Sequence, residues 1–159
     1  MSCGPLPAVT VNVGESTTVS ACFNDANGDA LTHSASSSNP SVATVTSAGS
    51  SVNITAVAPG NTTITITARD PGGLQATSSV SVTVPNRAPR AVGTIAAVTV
   101  AGGETATVNV SANFTDPDGQ TLSYSASSSD DDVATATASG STVTVTGVGR
   151  GMATVTVKM

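Results

Sequence analysis

The chain has 159 residues and a formal net charge of −5, with five Lys+Arg against ten Asp+Glu; only 9% of it is charged and 2% aromatic. An ordinary soluble domain is about 25% charged. Gripping a phosphate backbone or an anionic bilayer takes several convergent cations, and no basic cluster occurs, which excludes nucleic acid and membrane surfaces as partners. No apolar run reaches the roughly 18 residues that span a bilayer, so no membrane insertion is expected. With 26 Thr, 22 Ser, no Trp, one Tyr and two Phe, the core has to be filled by β-branched aliphatics, and this is a strand-forming alphabet.

In chain order, strands are expected at about 8–13, 16–22, 30–36, 41–46, 51–57, 62–69 and 74–84. Within them apolar residues alternate with Thr or Ser: Val52 and Ile54, Ile64 and Ile66, then Val80, Val82 and Val84. Period-2 alternation punctuated by Gly, Pro, Asn and Asp marks half-buried antiparallel strands, and no stretch carries a helical period. From Phe114 the pattern returns. FNDANGDALTHSASSSNPSVATVTSAGSSVNITAVAPGNTTITIT reappears as FTDPDGQTLSYSASSSDDDVATATASGSTVTVTGVGRGMATVTVK, offset by 91 residues without a gap. Upstream, VTVNVGESTTVSACF and VTVAGGETATVNVSANF match with a two-residue indel.

The fold class expected is therefore all-β: two tandem Greek-key β-sandwich modules, 1–86 and 87–159, joined by the stiff segment Pro85-Asn86-Arg87-Ala88-Pro89. Counted by the offset, the second copy stops at the equivalent of Ala68 and lacks its last strand. Two readings of that stay open: the chain is part of a longer array, or a neighbouring subunit completes the sandwich by strand addition, making a self-assembling, pilus-like fibre subunit. Ser2 to Val11 is the candidate donor segment for the second reading.

The pieces F-x-D-x-(D/N)-G-D-x-L-x-(Y/H)-S-A-S-S-S, V-A-T-V, I-T-A-V-A-P-G-N-T-T-I-T-I-T and A-R-D-P-G-G-L-Q-A-T, closed by V-T-V-P-N-R-A-P, resemble bacterial tandem cadherin-like and immunoglobulin-like repeats of the dystroglycan-type cadherin and Big families. The resemblance covers almost the whole chain. It implies an extracellular or cell-surface spacer or adhesion module, whose partners are other copies of the same or similar modules, or surface glycans or proteins. Because cadherin-like repeats accompany polysaccharide-degrading enzymes, it also implies a carbohydrate-binding alternative. That alternative is short of the exposed aromatic platforms that sugars stack on.

Asp25, Asn27 and Asp29 place oxygens at alternate positions of one loop, as a Ca²⁺ site requires, and Greek-key topology would bring Asp70 to the same end. The competing reading is that these residues cap turns through their own backbone. A second, interdomain Ca²⁺ set would combine Glu15 and Asn86 with Asp116 and Asp118. Cadherins rigidify joints in this way but add an acidic motif where this chain has Ala58-Pro59-Gly60-Asn61. Asp130-Asp131-Asp132 reads as a solvated turn.

Cys3 and Cys22 form an even pair, read as a disulfide that ties down the N-terminus in an oxidising compartment; a free Cys22 or an intermolecular bond through Cys3 are the alternatives. Four Asn-x-Ser/Thr sequons, at Asn53, Asn61, Asn109 and Asn113, are unremarkable in so hydroxyl-rich a chain. His33, the only histidine, aligns with Tyr124, which is no arrangement for a catalytic base. With no nucleophile elbow, phosphate loop or Cys/His metal set, the chain does not read as an enzyme.

Overall fold

The computed structural model describes residues 2–159. The chain divides into two compact units, 1–86 and 87–159, and the described residues form strands, with one 3-10 turn at Ser111–Asn113 and no α-helix.

The first unit runs β1 (Val9–Thr10), β2 (Ser16–Ser20), β3 (Thr32–Ser37), β4 (Ala43–Ala48), β5 (Ser51–Ala56), β6 (Gly60–Arg69) and β7 (Gln75–Val84). One sheet has the order β1-β7-β6-β3 and the other β2-β5-β4. β6 and β7 form an antiparallel ladder from Gly60↔Val84 to Arg69↔Gln75. Period-2 alternation turns Ile64 and Ile66 of β6, Val80, Val82 and Val84 of β7, and Val52 and Ile54 of β5 into one core, all almost wholly shielded from water. Burying each of these side chains is worth about 1.5–3 kcal/mol, so closely set aliphatics can do the work that aromatics do elsewhere.

The first strand is much shorter than the expected 8–13. β1 pairs parallel to β7 for two residues, Val9↔Val82 and Thr10↔Thr83, and the Val11 N–H extends the contact to the Thr83 carbonyl at 3.0 Å. Pro5 and Pro7 offer no N–H to lengthen the ladder toward the N-terminus.

One polar knot lies in this apolar interior. Thr62, 6% exposed, has its Oγ1 within 3.0 Å of Ser37 Oγ and 3.1 Å of Ser38 Oγ, and accepts the Asn39 N–H at 3.0 Å. It ties the β3–β4 turn to β6. The buried hydroxyl is satisfied, so it adds specificity at little cost.

The second unit runs β8 (Arg90–Ala91), β9 (Thr105–Asn109), β10 (Phe114–Thr115), β11 (Ser125–Ser128), β12 (Ala134–Ser139), β13 (Thr142–Gly147) and β14 (Val155–Lys158). β12, β13 and β9 form a sheet equivalent to β4, β5 and β2. β14, the counterpart of β6, pairs among the described residues with β11 alone, from Ser125↔Lys158 to Ser128↔Val155. Its core is correspondingly small: Val110, Ala134, Val143 and Val145 are buried, with half-buried neighbours around them.

One glycine recurs for a steric reason. Gly60 and Gly151 both have positive φ (147° and 155°), and a Cβ at either would lie 2.9 or 2.8 Å from a methyl of Val42 or Val133. Only glycine fits where the strand starts against that valine.

Candidate functional site

Two features of the structure could engage something outside the chain: the acidic loop ends and an open edge of the second unit. Both are built from repeat positions, so each copy serves as a control for the other.

In the first unit, the Asp25 carboxylate folds back on its own loop, with Oδ1 accepting the N–H of Asn27 at 2.8 Å and of Asp29 at 3.1 Å. The Asp29 N–H, followed by that of Asn27, holds the Asp25 carboxyl below the usual carboxylate range. Asp70 behaves alike: its Oδ1 accepts the Leu74 N–H at 2.8 Å, and its own N–H donates to the Leu74 carbonyl at 3.1 Å. Asp25 and Asp70 line one small cleft of about 170 Å³ with Phe23, Leu31 and Leu74, and Asn27 and Asp29 lie outside its lining. Among the described residues, no three His, Cys, Asp or Glu side chains gather into a group that could hold a metal ion. Asp25 and Asp70 each brace their own turn through backbone N–H groups.

The second copy repeats the brace, with Asp116 Oδ1 accepting the N–H of Asp118 at 2.8 Å and of Gln120 at 3.1 Å. The next position differs. Where the first copy has Asn27, Asp118 is clamped by Arg87: Oδ2 accepts the Arg87 backbone N–H at 2.6 Å, Oδ1 accepts the Nε–H at 2.7 Å, and Nη2 lies 2.7 Å from the same oxygen as an ion pair. Arg87 Nη2 also donates to the Pro117 carbonyl at 2.7 Å. The Asp118 side chain is 0% exposed, and the Arg87 backbone N–H, ahead of the guanidinium itself, pulls its carboxyl below the usual range. Both oxygens of Asp118, expected in the interdomain set, thus accept bonds from Arg87.

Of the remaining residues in that set, Glu15 accepts from Asn12 Nδ2 at 3.1 Å, within its own turn, and Asn86 is exposed. Arg87 was not singled out from the sequence. The available signal was a cation inside the proline-flanked joint of a chain that has only five.

Cys3 and Cys22 are joined by a disulfide with Cα atoms 5.4 Å apart, beside a backbone bond from the Cys3 N–H to the Cys22 carbonyl at 3.1 Å. Ser2 bridges Phe23, Leu6 packs on the core, and Val9–Thr10 sits on β7. Ser2 to Val11 is therefore held within its own unit and is not a free donor strand. His33 stacks on Phe23 at 5.8 Å, as Tyr124 does on Phe114 at 5.6 Å, so each pair serves packing. Asp130 braces its turn by accepting the Asp132 N–H at 3.1 Å.

The open edge belongs to the second unit. A groove of about 480 Å³ runs between the segment around Val98 and strand β14, floored by Val110, Val143 and Val145. No charged residue lines it. Ile95 and Val98 are 39% and 41% exposed, whereas Val9, the counterpart of Val98, is packed against the core of the first unit. Val155 and Val157 are half-buried, whereas their counterparts Ile64 and Ile66 are wholly buried.

Residues 6–80 match the family described as bacterial Ig-like domain (group 2). The match lies within the first unit. The chain also resembles solved structures of an S-layer protein, of titin and of a protocadherin. It is 29% identical to domains 4 and 5 of the S-layer protein SbsC, covering 89% of this chain and 74% of that one, with a TM-score of 0.37. Titin domains z1z2 in complex with telethonin are 17% identical over 91% of this chain and 79% of that one, with a TM-score of 0.42. Protocadherin Gamma B2 extracellular cadherin domains 3–6 are 12% identical over 93% and 38%, with a TM-score of 0.46. A search of the curated proteins found no match.

Proposed function

We propose that the chain is a structural repeat of an extracellular or cell-surface protein, a load-bearing spacer or adhesion module whose neighbours are modules of the same kind. The observation that carries this reading is the parallel pairing of β1 with β7. Because the first and last strands of the Ig-like domain run the same way side by side, the chain enters at one end of the unit and leaves at the other. A unit threaded in that way transmits tension along its length. Its β1–β7 hydrogen bonds lie across the direction of pull and have to fail together.

Two further features support the reading. A disulfide persists in oxidising compartments, which supports a location outside the cytoplasm. Hydroxyl-rich, weakly charged faces suit a secreted rod.

Single-molecule pulling between terminal tethers tests the proposal. A spacer gives a distinct force peak for the first unit. Because the load passes from Cys3 to Cys22, the 19-residue separation stays closed when oxidised. Reduction should lengthen the released chain by that separation, at about 3.3–3.6 Å per residue. Extension without a force peak would overturn the load-bearing role. Recovery of the chain only from the cytoplasm of its producing cells would overturn the location.

A further inference from the structure

We propose that Asn27 is a spontaneous modification site, where the folded chain exchanges a side-chain amide for an acid and so loosens the loop that Asp25 braces. The sequence offers one place for this chemistry. Of the nine asparagines, Asn27 alone precedes a glycine; the others precede residues that carry a side chain, and one of those is Pro40, which has no N–H. Asparagine is a chemically labile residue, most so where the next backbone nitrogen can reach its side-chain carbonyl carbon. A Cβ on the following residue crowds that approach, and glycine has none.

The structure leaves the approach open. Asn27 and Gly28 are both exposed, and nothing lies within 4 Å of where a Gly28 Cβ would stand. Gly28 turns the loop with a φ of 79°. The Asn27 backbone N–H is committed to Asp25 Oδ1, but among the described residues its side-chain amide has no hydrogen-bond partner. Other amides are held: Asn12 donates to Glu15, Asn113 donates to the Thr94 carbonyl, and Asn61 accepts from Thr83.

The reaction needs only water. The Gly28 nitrogen gives its proton to solvent and attacks Asn27 Cγ; the N–Cγ bond forms, the Cγ–Nδ2 bond breaks, and the departing nitrogen takes a proton from solvent to leave as ammonia. Water then opens the cyclic imide at either carbonyl. One opening returns an α-linked acid, and the other a β-linked acid with the side-chain methylene inserted into the backbone. Nothing is oxidised or reduced.

Either product changes the loop. A new negative charge stands between Asp25 and Asp29, and the β-linked form also lengthens the chain between the Asn27 and Asp29 N–H groups, which Asp25 Oδ1 accepts at 2.8 and 3.1 Å. The second copy is the internal control. There Asp118 already occupies this position with its carboxylate held by Arg87, so no amide is left to lose. The inference does not depend on the spacer reading, since it rests on one loop of the first unit.

The test incubates the full folded chain at physiological pH and temperature and follows each asparagine by peptide mass spectrometry, with Asn27→Asp as the standard for the α-linked product. Acid should accumulate at position 27 ahead of every other asparagine, in both linkages. Asn27→Gln, whose longer side chain does not close the ring readily, should keep its amide. The aged chain should lose amide-exchange protection at Asp29 and keep it at Gln120, the counterpart that donates to Asp116 at 3.1 Å; aged Asn27→Gln should keep both. The inference is overturned if Asn27 converts no faster than the other asparagines, if it converts in urea but not in the folded chain, or if conversion leaves Asp29 exchange unchanged.

Discussion

β6 and β14 occupy the same place in two copies of one sequence and meet different fates. Ile64 and Ile66 are wholly buried, and Val155 and Val157 are only half-buried, although both strands alternate Thr with β-branched aliphatics. Alternation decides which face a side chain takes. Whether that face is dry depends on the strands laid beside it, and β6 has β7 where β14 has open groove. The three-stranded sheets β2-β5-β4 and β9-β13-β12, whose members are all present, look alike in both units.

The largest effect that sharpens this contrast comes from trimming the two strands in parallel. Ile66→Ala should cost about 2–5 kcal/mol, the usual range for emptying a closed core site. Val157→Ala, at a half-buried site, should cost about 1 kcal/mol or less. Denaturant unfolding followed by unit-resolved amide exchange measures both, and equal losses would break the comparison.

Next in size is the disulfide, which only the first unit has. Reduction, or Cys3→Ser with Cys22→Ser, should destabilise that unit by about 3 kcal/mol and leave the melt of the second unchanged. A smaller difference is expected at Thr62, whose counterpart is Ala153. Thr62→Val removes the hydroxyl shared by Ser37, Ser38 and Asn39 while the exposed Asn39 N–H keeps Ser37 Oγ at 3.3 Å, at a cost of about 0.5–1.5 kcal/mol. The counterparts of Ser37 and Ser38 are Ser128 and Ser129, and the Thr154 N–H donates to Ser129 Oγ at 2.9 Å as the Thr63 N–H does to Ser38 Oγ at 3.0 Å, so the reciprocal Ala153→Thr should recover part of the knot and raise the melting temperature of the second unit.

The acid limb of the stability curve separates the loops. The folded-state carboxyl of Asp118 lies below its ordinary value. Its stabilising contribution is therefore complete above the unfolded pKa, about 3.9, and is lost as pH falls through the lowered one. Asp118→Asn should lower the melting temperature of the second unit at neutral pH and flatten its decline in acid. Asn27→Asp, which has no Arg87 counterpart, should not reproduce the clamp in the first unit. The smallest effect concerns calcium. Because Asp25 and Asp70 already brace their own turns, melting with calcium chloride and with a chelator should agree; a rise with calcium would turn the cleft they line into an ion site.

Much of this was legible in the residues. The alternation placed β5, β6 and β7 to within two residues of where they lie, and the 91-residue offset carries β4 and β5 onto β12 and β13. The loops were less legible, because D-x-N-x-D is the same string whether its oxygens face an ion or their own backbone. Arg87 escaped notice because an ion pair across 31 residues has no local signature.

By itself, then, the sequence determined the strand class, the face that each side chain takes and the repetition of both, since these follow from a period that each segment carries alone. The tertiary structure decided what lies beside each strand. It pairs β1 parallel to β7, engages the N-terminal segment in its own unit and sets Arg87 on Asp118. These outcomes depend on which distant segments compete for one edge, and that competition is settled only when the chain has folded.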